Sequence, residues 1–334
     1  MLTLSVVIAT HSRKDELLTT LDTVLSQDSP PNEVLIIDTH HERINETVVL
    51  HRTLAFAQKG IHLRYCWCPR NSVCAAWNLG ARQSFGDMIF FADDDVALDS
   101  KCLGELRAVF ELTPDAIGVQ PMIMSPKVSR FVSSVSRFQL SFLKVFQLSH
   151  PDFTNRLLPS GETTFSFAPA SLIRTEWLSG TATYRRSIFT ITSFDENLIG
   201  RAHMCDLDFS VRVNRLCRGT LYISPRARLL HLKSPRLRLP VKKDLYMRVV
   251  YQAYIFNKLL GHRFTNLLFY SWSRLGILIG RTGMIVIGRR SARELTLELS
   301  YLIEAHLIAL KNWRAIRTGK LDSINSQFLE YRPS

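Results

Sequence analysis

The sequence is short of acid, sparing with cysteine, and has no uninterrupted apolar run suited to a simple membrane span. Its 334 residues carry 29 Asp and Glu against 42 Lys and Arg, a formal charge of +13. That imbalance suits nucleic acid, anionic lipid or a phosphorylated ligand, and charge alone does not choose among them. No recognition helix or aromatic RNA motif accompanies the charge, so nucleic acid is the weakest of the three. Six cysteines are too few to staple a chain of this length. Cys66, Cys68 and Cys74 also lack the paired spacing and downstream histidines of a zinc site, and the thiols are expected to be reduced. The stretch from 267 to 287 is broken by Arg274 and Arg281, each costing about 2.5–3.5 kcal/mol at mid-bilayer. No basic segment precedes the first apolar run, which predicts a strand and not a signal peptide. There is no internal repeat or low-complexity tract. With 46% hydrophobic residues the chain is not disordered, and its length allows two domains or one large α/β domain with an appendage.

What is present is an alternation. Leu4 to Ala9 reads as a buried strand, and Leu17, Leu21, Val24 and Leu25 then share a helical face between Asp15 and Ser26. Ser12 and Asp15 have the spacing of a capping-box variant. Pro30-Pro31 ends that unit, and Glu33 to Asp38 is a second buried strand. The cycle continues with a helix over 45–59, a strand over 62–66, a helix over 73–84 and a strand over 88–92 that runs into Asp93-Asp94-Asp95. A helix over 101–112 follows. Four strands alternating with helices predict a parallel, doubly wound sheet, whose ligands bind beyond the carboxyl ends of the strands. Thr10, Asp38 and the three aspartates lie there. The segment 125–153 reads as irregular loop and helix, Asp206 to Leu216 as helix, and 221–225 and 227–232 as extended. Beyond Pro235 three helices are expected, over 245–260, 264–287 and 292–314.

Adjacent carboxylates repel unless solvated or neutralised. In an extended segment Asp93 and Asp95 point the same way and suit one hard cation, whereas a solvated acidic turn is the plain alternative. The runs Val6-Val-Ile-Ala-Thr-His-Ser-Arg13, Glu33-Val-Leu-Ile-Ile-Asp38, Asn71 through Asn78, and Gly86-Asp-Met-Ile-Phe-Phe-Ala-Asp-Asp-Asp95, in this order and spacing, resemble the nucleotide-binding half of the family 2 glycosyltransferases of the GT-A fold. Trp177 to Gly180, Tyr184 to Arg186, Phe194 to Glu196, Cys205 to Asp208, Arg212, Gly219 and His231 resemble the family's acceptor half.

The resemblance implies a GT-A-like, Rossmann-like, mostly parallel sheet flanked by helices over residues 1–235. Residues 1–100 would form the nucleotide-binding half and 101–235 the acceptor half, with a basic, amphipathic helical extension over 236–334. It implies an inverting, metal-dependent sugar transfer from a UDP or dTDP sugar to a glycan, polysaccharide or lipid-linked acceptor. Asp93, Asp95 and His231 would hold Mn2+ or Mg2+, although a histidine in Leu229-Leu-His-Leu is equally an ordinary packed strand residue. Thr10, Arg13, Asp38, Asn78 and Asp94 would border the donor. Trp177, Gly180, Arg185 and Asp208 would lie on the acceptor side. Asp206 would take the acceptor's proton; an aspartate in a first helical turn is also stabilised by the helix dipole, and Asp208 could share either role. Two departures stand out: Cys205 precedes Asp206 where the family usually has glutamate, and Thr39-His40-His41 follows Asp38 where small residues are usual. A binding protein that has lost turnover, suggested by Cys205, is the alternative function.

The extension carries its own expectation. Arg274 and Arg281, seven apart, would reach lipid phosphates while Leu268, Trp272, Leu275, Ile279 and Val286 bury in a membrane surface. Leu299, Leu302 and Leu310 would pack on the domain or the same surface. Gly276-x-x-x-Gly280 would be a helix-packing face. Basic residues over 226–248 would favour anionic lipid. A cytoplasmic location, peripheral to the membrane, follows from this reading.

Overall fold

Apolar runs without alternation make strands covered on both faces, and three such runs form the centre of this molecule. The computed structural model describes residues 1–43, 46–124, 134–217, 220–234, 239–261, 263–286 and 292–329. Along the first half run β1 (Leu4–Thr10), α1 (Lys14–Leu25), β2 (Glu33–Asp38), α2 (Glu46–Gln58), β3 (His62–Trp67), α3 (Val73–Gln83), β4 (Met88–Asp93), β5 (Val96–Leu98) and α4 (Cys102–Leu112). Then come β6 (Gly118–Met124), α5 (Arg137–Val145), β7 (His150–Asp152), β8 (Arg156–Leu157), β9 (Thr163–Ser166), β10 (Ile173–Thr175) and β11 (Thr183–Arg185). The chain continues with α6 (Cys205–Leu216), β12 (Leu221–His231), α7 (Val241–Leu259), α8 (Phe264–Val286), α9 (Ala292–Lys311), α10 (Trp313–Arg317) and α11 (Asp322–Leu329).

The main sheet has the order β10-β12-β6-β11-β4-β1-β2-β3, with β5 paired to β12. The expected parallel arrangement holds across β3-β2-β1-β4. In the acceptor half β11 inserts antiparallel between β4 and β6, so the sheet as a whole is mixed. The two extended segments read around Pro225 are one strand, β12, with a register shift between Ser224 and Arg228. A small sheet, β7-β9-β8, lies apart from the main one.

Side-chain alternation divides the core. Leu4, Val6 and Ile8 of β1 point to one face with Val34, Ile36, Met88 and Phe90, where Leu17, Leu21 and Phe56 cover them. Val7 and Ala9 point to the other with Leu35, Ile37, Ile89 and Phe91. Gly80 of α3 lies so close to β1 that a Cβ there would stand 2.3 Å from a Val7 methyl; only glycine lets the helix seat on the sheet. On this face Phe194 stacks on Phe209 at 4.0 Å, beside Trp77 and Phe91, each such ring contributing roughly 1.5–3 kcal/mol by burial.

The later helices share that core: Val250, Tyr251, Phe256, Leu302, Ala305 and Ile316 belong to the same buried cluster as Val7 and Phe91. The boundary expected near 235, with Gly219 and part of the basic stretch, lies outside the described residues. Two local expectations change, at Ser12 and Arg274. Ser12 adopts φ +57 and does not cap α1, which starts after Arg13 without a side-chain cap. Arg274 is buried and bonded to Glu162 and Gln252, so it does not face a lipid surface; Arg281 is partly exposed and pairs with Glu298 at 3.0 Å. Leu302 is buried, whereas Leu310 is exposed. Gly276 and Gly280 are a packing face: a Cβ on Gly276 would meet Phe146 at 2.4 Å, and Gly280 rests against Phe142. Among the described residues no helix is long and apolar enough to cross a membrane.

Candidate active site

Parallel pairing sets Thr10 beside Asp38, and Ala9 beside Asp93, at one end of the sheet. That is the carboxyl end, where helix N-termini and strand-end side chains meet. His231 arrives from the distant β12, pairing through its backbone with Val96. The chain after it closes on Asp95: the Leu232 amide donates to the Asp95 carbonyl at 2.9 Å, and the Ser234 amide to its Oδ2 at 2.9 Å.

Asp93, Asp95 and His231 form the candidate cation site. One ligand atom from each lies within 4.8 Å of the others. His231 Nε2 is 3.5 Å from Asp93 Oδ2, and Nδ1 is 3.8 Å from Asp95 Oδ1. The hydrogen bond to Asp93 raises the His231 pKa, against the effect of burial. Burial pushes the Asp93 carboxyl up, but His231, Arg13 and Arg201 more than offset it and its pKa is lowered. Two carboxylates with one imidazole are a donor set that fits Mn2+ or Mg2+.

Asp94 points elsewhere. It is buried, accepts from Thr10 Oγ1 at 2.7 Å, and lies 3.2 Å from Arg13, which also reaches Asp95 at 3.4 Å. Burial raises its pKa to about 7, with Arg13 opposing. Asp38 accepts from the His40 amide at 2.9 Å and from the Tyr65 hydroxyl at 3.0 Å. The rings of His11 and His40 lie 5.1 Å apart, Trp67 Nε1 donates to the His40 carbonyl, and Arg43 stacks over Trp67 at 4.5 Å. Sequence reasoning passed over Tyr65, Trp67 and His11, whose signal was their place at or just past the ends of β3 and β1.

Asp206 opens α6. It accepts from the Gly180 amide at 3.1 Å and the Leu207 amide at 2.9 Å. A Cβ on residue 180 would meet Trp77 at 2.9 Å, so glycine is what lets that amide approach. Burial raises the Asp206 pKa and the Asp93 charge raises it further; a carboxylate so shifted is a better proton acceptor near neutral pH. Its neighbour Cys205 turns into the core, where a hydrogen bond with Cys74 and burial push the thiol far up.

Four expected residues are held by contacts within the protein. Asn78 is tied to the 194–196 loop, donating to the Phe194 carbonyl and Glu196 and accepting from the Phe194 amide. Arg185 donates to the carbonyls of Ala116, Phe110 and Pro114 around the end of α4. Trp177 ties the small sheet to the core through Thr164. Asp208 is fully buried and paired with Arg212 at 2.7 Å and Lys258 at 2.9 Å. Conversely Arg201, unremarked in the sequence, acts on Asp93 from a loop where Gly200, Ala202 and Met204 all have positive φ. Such left-handed backbone in non-glycine residues is uncommon and clusters at functional sites.

The model of the family described as "Glycosyl transferase family 2" matches residues 5–180. Among solved structures, the mannosyltransferase PcManGT from Pyrobaculum calidifontis, in complex with GDP-Man and Mn2+, is 14% identical with a TM-score of 0.57, over 92% of this chain and 87% of that one. GalNAc-T7 with UDP, GalNAc and Mn2+ is 17% identical with a TM-score of 0.54, over 77% of this chain. The match spans 50% of the GalNAc-T7 chain. These likenesses show the GT-A fold. No curated protein matches the chain.

Proposed function

The chain belongs to glycosyl transferase family 2, and on that premise we propose that it is a metal-dependent, inverting glycosyltransferase using a UDP or dTDP sugar. The observation that carries the proposal is the convergence of Asp93, Asp95 and His231 within charge reach of Asp206. Mn2+ or Mg2+ held by those three residues would neutralise the diphosphate as the sugar–phosphate bond breaks. Asp38, with Tyr65 and the His40 amide, would receive the base. Thr10 and Arg13, which bond Asp94 and Asp95, would border the same nucleotide pocket. Asp206, anchored by two backbone amides and raised by burial, would take the proton of the attacking hydroxyl. A single carboxylate base of this kind is what inversion requires.

The acceptor we propose is a glycan, polysaccharide or lipid-linked glycan, met on the cytoplasmic side at an anionic membrane surface; the formal charge of +13 supports that partner. The test is thermal stabilisation across nucleotides and metals. UDP or dTDP is expected to raise Tm with Mn2+ or Mg2+ present, and Asp95→Ala to abolish the increment. An equal rise in EDTA would remove the metal from the proposal. Nucleotide-sugar binding without hydrolysis or transfer would favour the binding-protein alternative.

A further inference from the structure

The outward side of α8 is apolar and uncovered. Phe264, Leu268, Trp272, Leu275 and Ile279, at helical spacing, are each between 44% and 73% exposed. A soluble surface helix turns such a stripe inward; here the inward side is supplied by Tyr270, Ser273 and Arg274, which are buried. The apolar surface does not end with α8. Trp272 stacks on Phe146 with centroids 4.7 Å apart and donates to the Val145 carbonyl at 2.9 Å, which seats α5 beside α8. On α5, Phe138 and Val145 are 79% and 60% exposed. A shallow apolar groove of about 540 Å³ lies along Leu268, Phe269, Trp272 and Leu275. Contiguous apolar surface of this kind marks an interaction site.

Charge identifies the occupant. Neither α5 nor α8 contains an aspartate or glutamate. Arg137 and Lys144, seven apart on one flank of the α5 stripe, and Arg263 before α8 are exposed and have no acidic partner among the described residues. The two arginines within α8 are already neutralised by Glu162 and Glu298. An apolar stripe with a tryptophan, bordered by cations that have no acidic partner among the described residues, is the composition that seats in the plane of an anionic bilayer surface.

We infer that the paired faces of α5 and α8 are the membrane-docking surface of this protein, taking an anionic phospholipid bilayer in the interfacial plane, with Trp272 at its centre. The inference rests on the membrane partner proposed above and names the surface that meets it. Arg274 anchors the platform from behind and takes no part in lipid contact.

The test is co-flotation of the full chain with phosphatidylcholine vesicles with and without about one-third phosphatidylglycerol. Wild type is expected to float with the anionic vesicles at low salt and to be released by high salt or alkaline carbonate. Leu268→Gln/Leu275→Gln/Ile279→Gln, three exposed positions, is expected to float at least tenfold less while keeping Tm and transfer to a soluble acceptor. Arg137→Glu/Lys144→Glu is expected to lose the preference for anionic vesicles. Undiminished flotation of the glutamine variant would overturn this surface and leave the membrane partner standing; wild type that ignores anionic vesicles would overturn both. A wild-type dimer in lipid-free solution that the glutamine variant dissolves would assign the face to a second copy instead.

Discussion

Asp206 and Asp208 stand two residues apart in the first turn of one helix, and changing each to asparagine is expected to produce opposite results. Asp208 has no exposed surface and faces two cations, Arg212 at 2.7 Å and Lys258 at 2.9 Å. Removing one member of a buried pair typically costs about 3–5 kcal/mol. Here the released cations are softened: Lys258 retains Asp195 at 2.6 Å, and both cationic side chains are about a quarter exposed, so about 2–3 kcal/mol is expected by the same measure. At roughly 2 °C per kcal/mol for a large domain, Asp208→Asn should lower Tm by about 4–6 °C and leave kcat within a few fold. Asp206 makes two hydrogen bonds with backbone amides, and asparagine offers one acceptor oxygen where the carboxylate offers two. The loss is about 1–2 kcal/mol. Transfer, however, should fall roughly 100-fold or more through loss of the base, with nucleotide affinity kept within a few fold. Calorimetry with steady-state nucleotide release at saturating donor reads both effects. Asp208→Asn that melts normally but no longer transfers, or Asp206→Asn that transfers at the wild-type rate, would refute the division of roles.

Cys205→Glu should melt several degrees lower, since the side chain is packed against Cys74 and a carboxylate there has no partner; Cys205→Ala should melt close to wild type, and a stable glutamate variant would mean the position opens to the site. Arg201→Ala should weaken nucleoside diphosphate binding about tenfold or more and leave the nucleoside unchanged, as isothermal titration with Mn2+ present would reveal; equal losses for both would place Arg201 away from the phosphates. Burial opposes ionisation of Asp195, but Lys258 and Tyr254 lower its pKa overall. The stability it contributes is therefore present above the ordinary aspartate value near 3.9 and lost as pH falls through the depressed folded value. Asp195→Asn should flatten that acid limb in urea titrations between about pH 5 and 2, and an unchanged limb would remove Asp195 from acid unfolding.

The elements that sequence resolved are those whose information is local. Runs such as Val6 to Ala9 and Met88 to Ala92 are apolar at every position because both faces of the strand are covered, and a period of two or 3.6 residues is legible within a window of a dozen. The strand-end placement of Thr10, Asp38 and Asp93 was legible for the same reason, and the carboxyl ends of parallel strands are where such sheets bind ligands. His231 came only from the family resemblance, because nothing local separates it from a packed strand histidine.

What sequence left open was the direction of long side chains whose partners lie far along the chain. Asn78 turns to Glu196, Arg185 to the end of α4, Asp208 to Lys258 and Arg274 to Glu162, contacts spanning 118, 75, 50 and 112 residues. The spacing of Arg274 and Arg281 allowed a lipid-facing pair; an acid delivered by the loop before β9 drew Arg274 inward instead. Sequence by itself determined the strand–helix alternation and the acidic strand ends, because hydrophobic periodicity is set residue by residue. Only the tertiary structure decided which charges are neutralised inside the protein and which apolar face of α8 remains open, because both depend on packing between segments far apart in the chain.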